Sequence, residues 1–85
     1  MELKEQFEQA AIESKNLSEK PSNETLLQLY SLYKQGSIGD VNTEPPSNPF
    51  DFVAKAKHEV WAALKGKSTT DAMTEYVELI QKLKN

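Results

Sequence analysis

Between Ser37 and Pro49 the chain gathers Gly39, Asp40, Asn42, Pro45, Pro46, Asn48 and Pro49, residue types that end helices and set turns. No other stretch constrains the fold as much. On both sides of it apolar residues recur at three- and four-residue steps, and nowhere does a sustained two-residue alternation mark a strand. A connection this long inside a compact domain spans distant elements or carries function. With 85 residues there is room for one core. The expectation is therefore all-α: a single domain over residues 1–85, built as a small bundle of four helices with one long connection between the second and third.

The first helix is predicted from Glu2 to Asn16, with Leu3, Phe7, Ala10 and Leu17 on its inward stripe, Ala11 beside it and Ile12 off it. Pro21 closes that segment. The second helix starts at Ser22 or Asn23, both good N-caps. Leu26, Leu27, Leu29, Tyr30, Leu32 and Tyr33 cover more than one face of it, so it needs two neighbours, or a neighbour and a ligand. Gly36 reads as its stop. The third helix begins around Asn48 or Asp51, where Asn48-Pro49-Phe50-Asp51 fits an N-cap, a proline at N1 and an acid at N3. Its apolar face is Phe52, Ala56, Val60, Ala63 and Leu64, with Lys57 and Trp61 on the flank and Gly66 at its end. Ser68-Thr69-Thr70-Asp71 opens the fourth helix as a capping box with Asp in place of Glu. Ala72, Tyr76, Leu79, Ile80 and Leu83 form its inner stripe.

Several function classes fall away on chemistry. The net charge is −3, so the domain as a whole does not attract nucleic acid. All basic residues are Lys and none is Arg, which removes bidentate phosphate or guanine recognition. There is no Cys and a single His, so neither disulfides, thiolate metal sites nor histidine clusters are available. No nucleophile sits beside a base, and there is no P-loop, no G-x-S-x-G and no paired catalytic carboxylates, so an enzyme is not expected. No apolar run approaches a membrane span, and Met1-Glu2-Leu3-Lys4-Glu5 lacks a signal-peptide core. The reading is a cytoplasmic monomer.

On a helix Tyr30, Tyr33 and Lys34 fall on one side, next to Leu26 and Leu27. Two phenols, an ammonium and two aliphatic chains on one surface can hold a ligand that is anionic and aromatic at one end and greasy at the other. The plain structural reading is a pair of core tyrosines with a solvated lysine. Lys57, beside Lys55, belongs to such a site only if it converges with Lys34, which spacing alone does not decide. Trp61 and Met73 read as core, and His58, Lys15 and Lys4 as surface.

Three blocks of the chain resemble the acyl-CoA-binding protein family. Tyr30-Ser31-Leu32-Tyr33-Lys34-Gln35 followed by Gly39-Asp40-Val41-Asn42-Thr43-Glu44 is similar to the family's Y-x-x-Y-K-Q…G-D-x-N-T-x hallmark. Lys55-Ala56-Lys57 with Trp61, Leu64 and Gly66 resembles its third helix, and Ser68, Asp71-Ala72-Met73 and Tyr76 the start of its last. The likeness runs over nearly the whole chain. It implies an up-down-down-up four-helix bundle with an overhand connection between helices two and three. It also implies binding of long-chain fatty acyl-CoA esters with high affinity, and service as an intracellular carrier and pool former without a cofactor, a metal or stable membrane insertion. By resemblance Tyr30, Lys34 and Lys57 hold the 3′-phosphate of coenzyme A, and Lys15, Tyr33 and Tyr76 surround the adenine and head. Ala10, Ala11, Ile12, Leu26 and Leu27 line the acyl chain or head group. Val53, Pro45 and His58 depart from the family pattern, where a polar or basic residue, an Arg and a Trp are common, and the loop is about one residue longer. Two rival readings stand beside this one: a helical protein–protein interaction module using the Tyr-lined groove, and a lipid-surface module.

Overall fold

Three of the four helices start where a side chain takes over an orphan backbone N–H; the first, beginning at Leu3, has no side-chain cap. The computed structural model describes residues 2–84; the outer bounds of the expected domain, Met1 and Asn85, lie outside the described residues. Helix α1 spans Leu3–Glu13 and tightens into a 3₁₀ turn over Ser14–Asn16. Helix α2 spans Asn23–Ser37, capped by Ser22, whose side chain accepts from the Thr25 N–H at 3.2 Å. Helix α3 spans Phe52–Ala62, with the Asp51 carboxylate accepting from the Ala54 N–H at 3.0 Å. Helix α4 spans Thr69–Lys84, with Ser68 Oγ accepting from the Asp71 N–H at 3.0 Å. The described residues contain no strand.

Four contacts fix the directions of the helices. Phe7 near the start of α1 packs against Gly36 at the end of α2, so these two run antiparallel. Trp61 Nε1, late in α3, donates to the Gly39 carbonyl just past α2 at 2.9 Å, so α2 and α3 run parallel. Gln35 late in α2 reaches the Lys67 carbonyl just before α4 at 2.8 Å, so α4 turns back. At the far end Lys84 pairs with Glu13 at 2.6 Å, which sets α4 parallel to α1. The order is up, down, down, up. Two parallel neighbours require a connection that travels the length of a helix, and the segment from Ile38 to Asp51 does this.

The core is Phe7 and Ala10 of α1, Leu29 and Leu32 of α2, and Ala72, Tyr76, Val77 and Ile80 of α4. Helix α2 packs on both α4 and α3, which answers its two-sided apolar pattern. Helix α3 makes its extended contact with α2. Its buried residue is Trp61, which the periodicity placed on the flank, whereas Phe52 is 72% exposed and Ala63 exposed as well. The stripe that meets α2 is rotated from the expected one, because the indole is the large side chain that α2 and the loop can cover.

Gly36 and Gly66 do not end their helices as expected. Gly36 does not end α2; it is a buried residue inside it. A Cβ there would meet the Phe7 ring at 3.1 Å and Met73 Cγ at 3.2 Å, so glycine is needed for close approach rather than for a left-handed turn. Gly39 takes the positive φ, 102°, that turns the chain out of the helix. Helix α3 stops at Ala62, ahead of Gly66, and the intervening turn uses bonds from Leu64 to Trp61 and from Lys65 to Ala62. Asn48 is not the α3 cap either: its side chain accepts from the Phe50 N–H at 2.9 Å and shapes a turn just ahead of Asp51.

The long connection is tied down by the residues it passes. Asp40 Oδ1 accepts from the Gly66 N–H at 2.9 Å and from Gln35 Nε2 at 2.9 Å. These bonds, led by that from Gly66 and helped by Lys65, hold the Asp40 carboxyl below the usual carboxylate range. His58 Nε2 lies 2.9 Å from the Thr43 carbonyl and so carries its hydrogen on that nitrogen. Gln35 is fully buried and gives both amide hydrogens to this clasp, to Asp40 and to Lys67 O, while its Oε1 has no protein partner.

Candidate ligand-binding cleft

A cleft of about 950 Å³ opens between α1 and α2 and is floored by α4. Its volume is at the upper end of what small-molecule sites enclose. Three aromatic rings build its middle. Tyr33 stacks on Phe7 with centroids 5.3 Å apart and planes at 21°. Tyr76 meets Phe7 edge-on at 5.2 Å and Tyr33 at 5.9 Å. Helical spacing brings this about: Tyr33 lies one turn from Gly36, whose missing side chain lets Phe7 in, and Tyr76 lies one turn from Met73. Tyr33 stays 41% exposed, leaving ring surface for a planar ligand, while Tyr76 is buried. Burial raises the Tyr76 hydroxyl above its ordinary value of 10.0; a hydrogen bond with Ser14 opposes the rise and Tyr33 adds to it.

Beside the rings stands a cationic corner. The Lys34 ammonium lies 5.7 Å from the Tyr30 centroid and 5.7 Å from that of Trp61. The Lys57 ammonium lies 5.3 Å from the same Tyr30 ring. Two amines from two helices thus gather at one phenol, which shares the wall of the cleft with Lys57. No acidic side chain pairs with either lysine among the recorded ion pairs of the described residues, which are Lys67 with Glu75 and Lys84 with Glu13. A smaller hollow of about 240 Å³ lies on the other side of Tyr30 and Lys57, walled by Thr43, Glu44, His58 and Trp61. The clasped loop therefore forms the outer edge of the cationic corner.

Away from that corner the cleft has an apolar strip, and its lining also includes Lys4, Glu8, Ser14 and Lys15. Ala11, Ile12 and Leu26 form that strip, with Ile12 57% and Leu26 37% exposed. The structure thus gathers Lys15, Tyr30, Tyr33, Lys57 and Tyr76 around one cleft, with Ala11, Ile12 and Leu26 along it. Lys34 is not part of the cleft wall; it reaches the site through Tyr30 and Trp61. Ala10 and Leu27 do not open on the cleft. Ala10 is 2% exposed within the core, and half-buried Leu27 lies two turns from Lys34, on the side of α2 that meets α3. Lys4 lines the cleft rather than the outer surface.

Residues that sequence reasoning left in the core, on the surface or at a helix end also shape the site. Phe7, Met73 and Gly36 form the aromatic wall, and Ser14 supports Tyr76. His58 holds the loop. No local signal marks Phe7 as part of this wall, because the glycine that admits its ring, Gly36, lies on another helix. Nothing local distinguishes Ser14 or His58.

Comparison with known proteins gives one answer. The family profile described as Acyl CoA binding protein matches residues 4–80. The acyl-CoA-binding protein of Brassica napus is 46% identical over 83 residues, covering 98% of this chain and 89% of that protein. The acyl-CoA-binding protein of Dictyostelium discoideum is 49% identical over 77 residues, covering 91% and 90%. The crystal structure of Oryza sativa acyl-CoA-binding protein 2 superposes with a TM-score of 0.89 at 40% identity, covering 95% of this chain and 87% of that one.

Proposed function

The chain belongs to the acyl-CoA-binding protein family, and from that premise we propose that it binds long-chain fatty acyl-CoA esters in the α1–α2 cleft and carries them as a protected pool. The family is one of binding proteins, so the ligand is held and released, not turned over, and no cofactor takes part. The observation that carries this reading is the meeting of Lys34 and Lys57 at the Tyr30 ring beside an aromatic and then apolar cleft.

The division of labour follows from the chemistry of the two ends. Lys34, Lys57 and the Tyr30 hydroxyl take the 3′-phosphate, and each charge-assisted bond contributes about 1.5–3 kcal/mol before other costs. Tyr33, Tyr76 and Lys15 surround the adenine; stacking of a base on an aromatic ring is worth on the order of 1–3 kcal/mol. Ala11, Ile12 and Leu26 take hydrocarbon, at about 0.8 kcal/mol for each methylene removed from water. Ordering the ligand and its lysines costs several kcal/mol against this sum. The head group therefore sets specificity, and chain length sets affinity.

The protein works as a cytoplasmic monomer in this account. No helix among the described residues is long and apolar enough to cross a membrane. The partner-helix reading of the Tyr-lined groove is not favoured by the family to which the chain belongs.

Calorimetry with palmitoyl-CoA, free CoA and palmitate tests the proposal. The ester should bind far more tightly than either part. Equal affinity for CoA and its palmitoyl ester contradicts it.

A further inference from the structure

His58 is the single histidine of the chain, and its sequence context leaves it on the surface. The structure gives it a definite place. It is half-buried in α3, one residue past Lys57, with Nε2 2.9 Å from the Thr43 carbonyl. The recorded hydrogen bond of the ring is at Nε2, so Nδ1 is the nitrogen left to take up a proton. That proton does not break the bond to Thr43, because Nε2 donates in the neutral and in the charged ring alike. The loop stays fastened in both states, and what changes is charge.

The change falls beside the cationic corner. The hollow of about 240 Å³ is walled by Lys57 and His58 from α3, Tyr30 from α2 and Glu44 from the loop. Lys34 of α2 reaches the same Tyr30 ring, 5.7 Å from its centroid, as Lys57 does at 5.3 Å. On α3 itself Lys55 and Glu59 flank the pair in sequence. At the wall of the hollow Lys57 and Glu44 set one cation against one anion, and neither belongs to a recorded ion pair of the described residues. Histidine is the side chain that changes charge between about pH 5 and 8. One proton on this imidazole tips the hollow to net positive. A unit charge about 8 Å from an anion changes affinity roughly two- to sixfold at effective dielectrics of about 40–80.

We infer that His58 tunes the phosphate corner: its protonated imidazole adds a third positive charge beside Lys34 and Lys57 and strengthens the hold on a phosphate monoester as pH falls below neutral. The inference rests on the acyl-CoA reading of the site. Affinity for the ester then depends on pH through a side chain of the protein, and by linkage the bound ester favours the charged ring by the same factor.

Because the chain has one histidine, a proton NMR titration follows His58 alone. The midpoint is measured in the free protein, with saturating palmitoyl-CoA and with its 3′-dephospho analogue. It should rise by about 0.5 pH unit with palmitoyl-CoA, which corresponds to a roughly threefold coupling, and by clearly less with the analogue. A histidine that only fastens the loop gives no such rise. Affinity for palmitoyl-CoA is measured alongside in the wild type and in His58→Gln, whose amide keeps an Nε2 donor for the Thr43 carbonyl. The monoester itself takes up a proton near about pH 6, so the ratio of the two proteins is read at each pH. That ratio should be close to one at about pH 7.5 and favour the wild type roughly threefold at about pH 5.5. A ratio that does not change with pH, or a midpoint that the ester leaves in place, overturns the inference and leaves the carrier reading standing. So does an equal rise with the analogue, which traces the coupling to another part of the ligand. If the ester binds at neither pH, the carrier reading falls and this inference with it.

Discussion

Lys34 near the end of α2 and Lys57 in the middle of α3 aim their ammonium groups at the same phenol, 5.7 and 5.3 Å from the centre of the Tyr30 ring. Residues far apart in sequence meet there because α2 and α3 run parallel, and the parallel run exists because the loop between them is long. Lys34→Ala and Lys57→Ala should each weaken palmitoyl-CoA binding about tenfold or more, the loss of one charge-assisted bond. Helicity by circular dichroism should not change. Lys82→Ala, outside the cleft, should leave solution affinity as it was; Lys4 does not serve as that control, because it lines the cleft.

Gly36→Ala tests the aromatic wall. In an open helix this change stabilises by about 1 kcal/mol. Here the new methyl meets Phe7 and Met73, and Phe7 is braced by Tyr33 and Tyr76 and cannot retreat freely. Overpacking of this sort costs about 1–3 kcal/mol, so net destabilisation of roughly 1 kcal/mol is expected in urea unfolding, with weaker ligand binding as the rings shift. A stabilised variant with full affinity means the wall is softer than described.

Acid should loosen the loop clasp. The Asp40 carboxyl titrates below its ordinary value of 3.8, mainly through the Gly66 N–H and then Gln35. The unfolded chain therefore binds its proton first as pH falls, so the contribution to stability is complete above 3.8 and is lost as pH drops through the lower folded value. Asp40→Asn should remove this part of the acid dependence and lower the melting temperature at neutral pH. Identical acid unfolding curves for the two proteins contradict the assignment.

Base acts on Tyr76 with the opposite sign. Burial raises its hydroxyl above 10.0, so the unfolded chain releases that proton first. Stability should be whole below 10.0 and decline as pH rises through the folded value. Tyr76→Phe should flatten that decline in a thermal melt series; an unchanged slope places the effect elsewhere.

Much of the fold could be read from the chain. Ser22 and Ser68 cap the helices that their sequence context assigns to them, and breaker residues mark the long connection. Helix ends were less legible. Gly36 and Gly39 look alike in sequence, yet one allows a ring to approach and the other turns the chain, a difference set by Phe7 on another helix. The face of α3 was misplaced because Trp61 is covered by the loop and α2, partners that periodicity along one helix does not know about. Within the site, Tyr30, Tyr33 and Leu26 were readable as one surface. The meeting of Lys57 with Lys34 was not readable from spacing, and the family resemblance supplied it. Ala10 and Leu27 sit one helical step away from the cleft, a rotation too small for sequence spacing to resolve.

The central claim is that Lys34 and Lys57 hold one phosphate while the tail lies in the neighbouring cleft. A thermodynamic cycle measures this directly: wild type and Lys34→Ala/Lys57→Ala, each titrated with palmitoyl-CoA and with its 3′-dephospho analogue. The account predicts that removing the phosphate weakens wild-type binding about as much as removing the amines does, and that the double variant no longer distinguishes the two ligands. If the double variant still prefers the phosphorylated ester as strongly as the wild type does, these lysines do not hold that phosphate and the account is wrong.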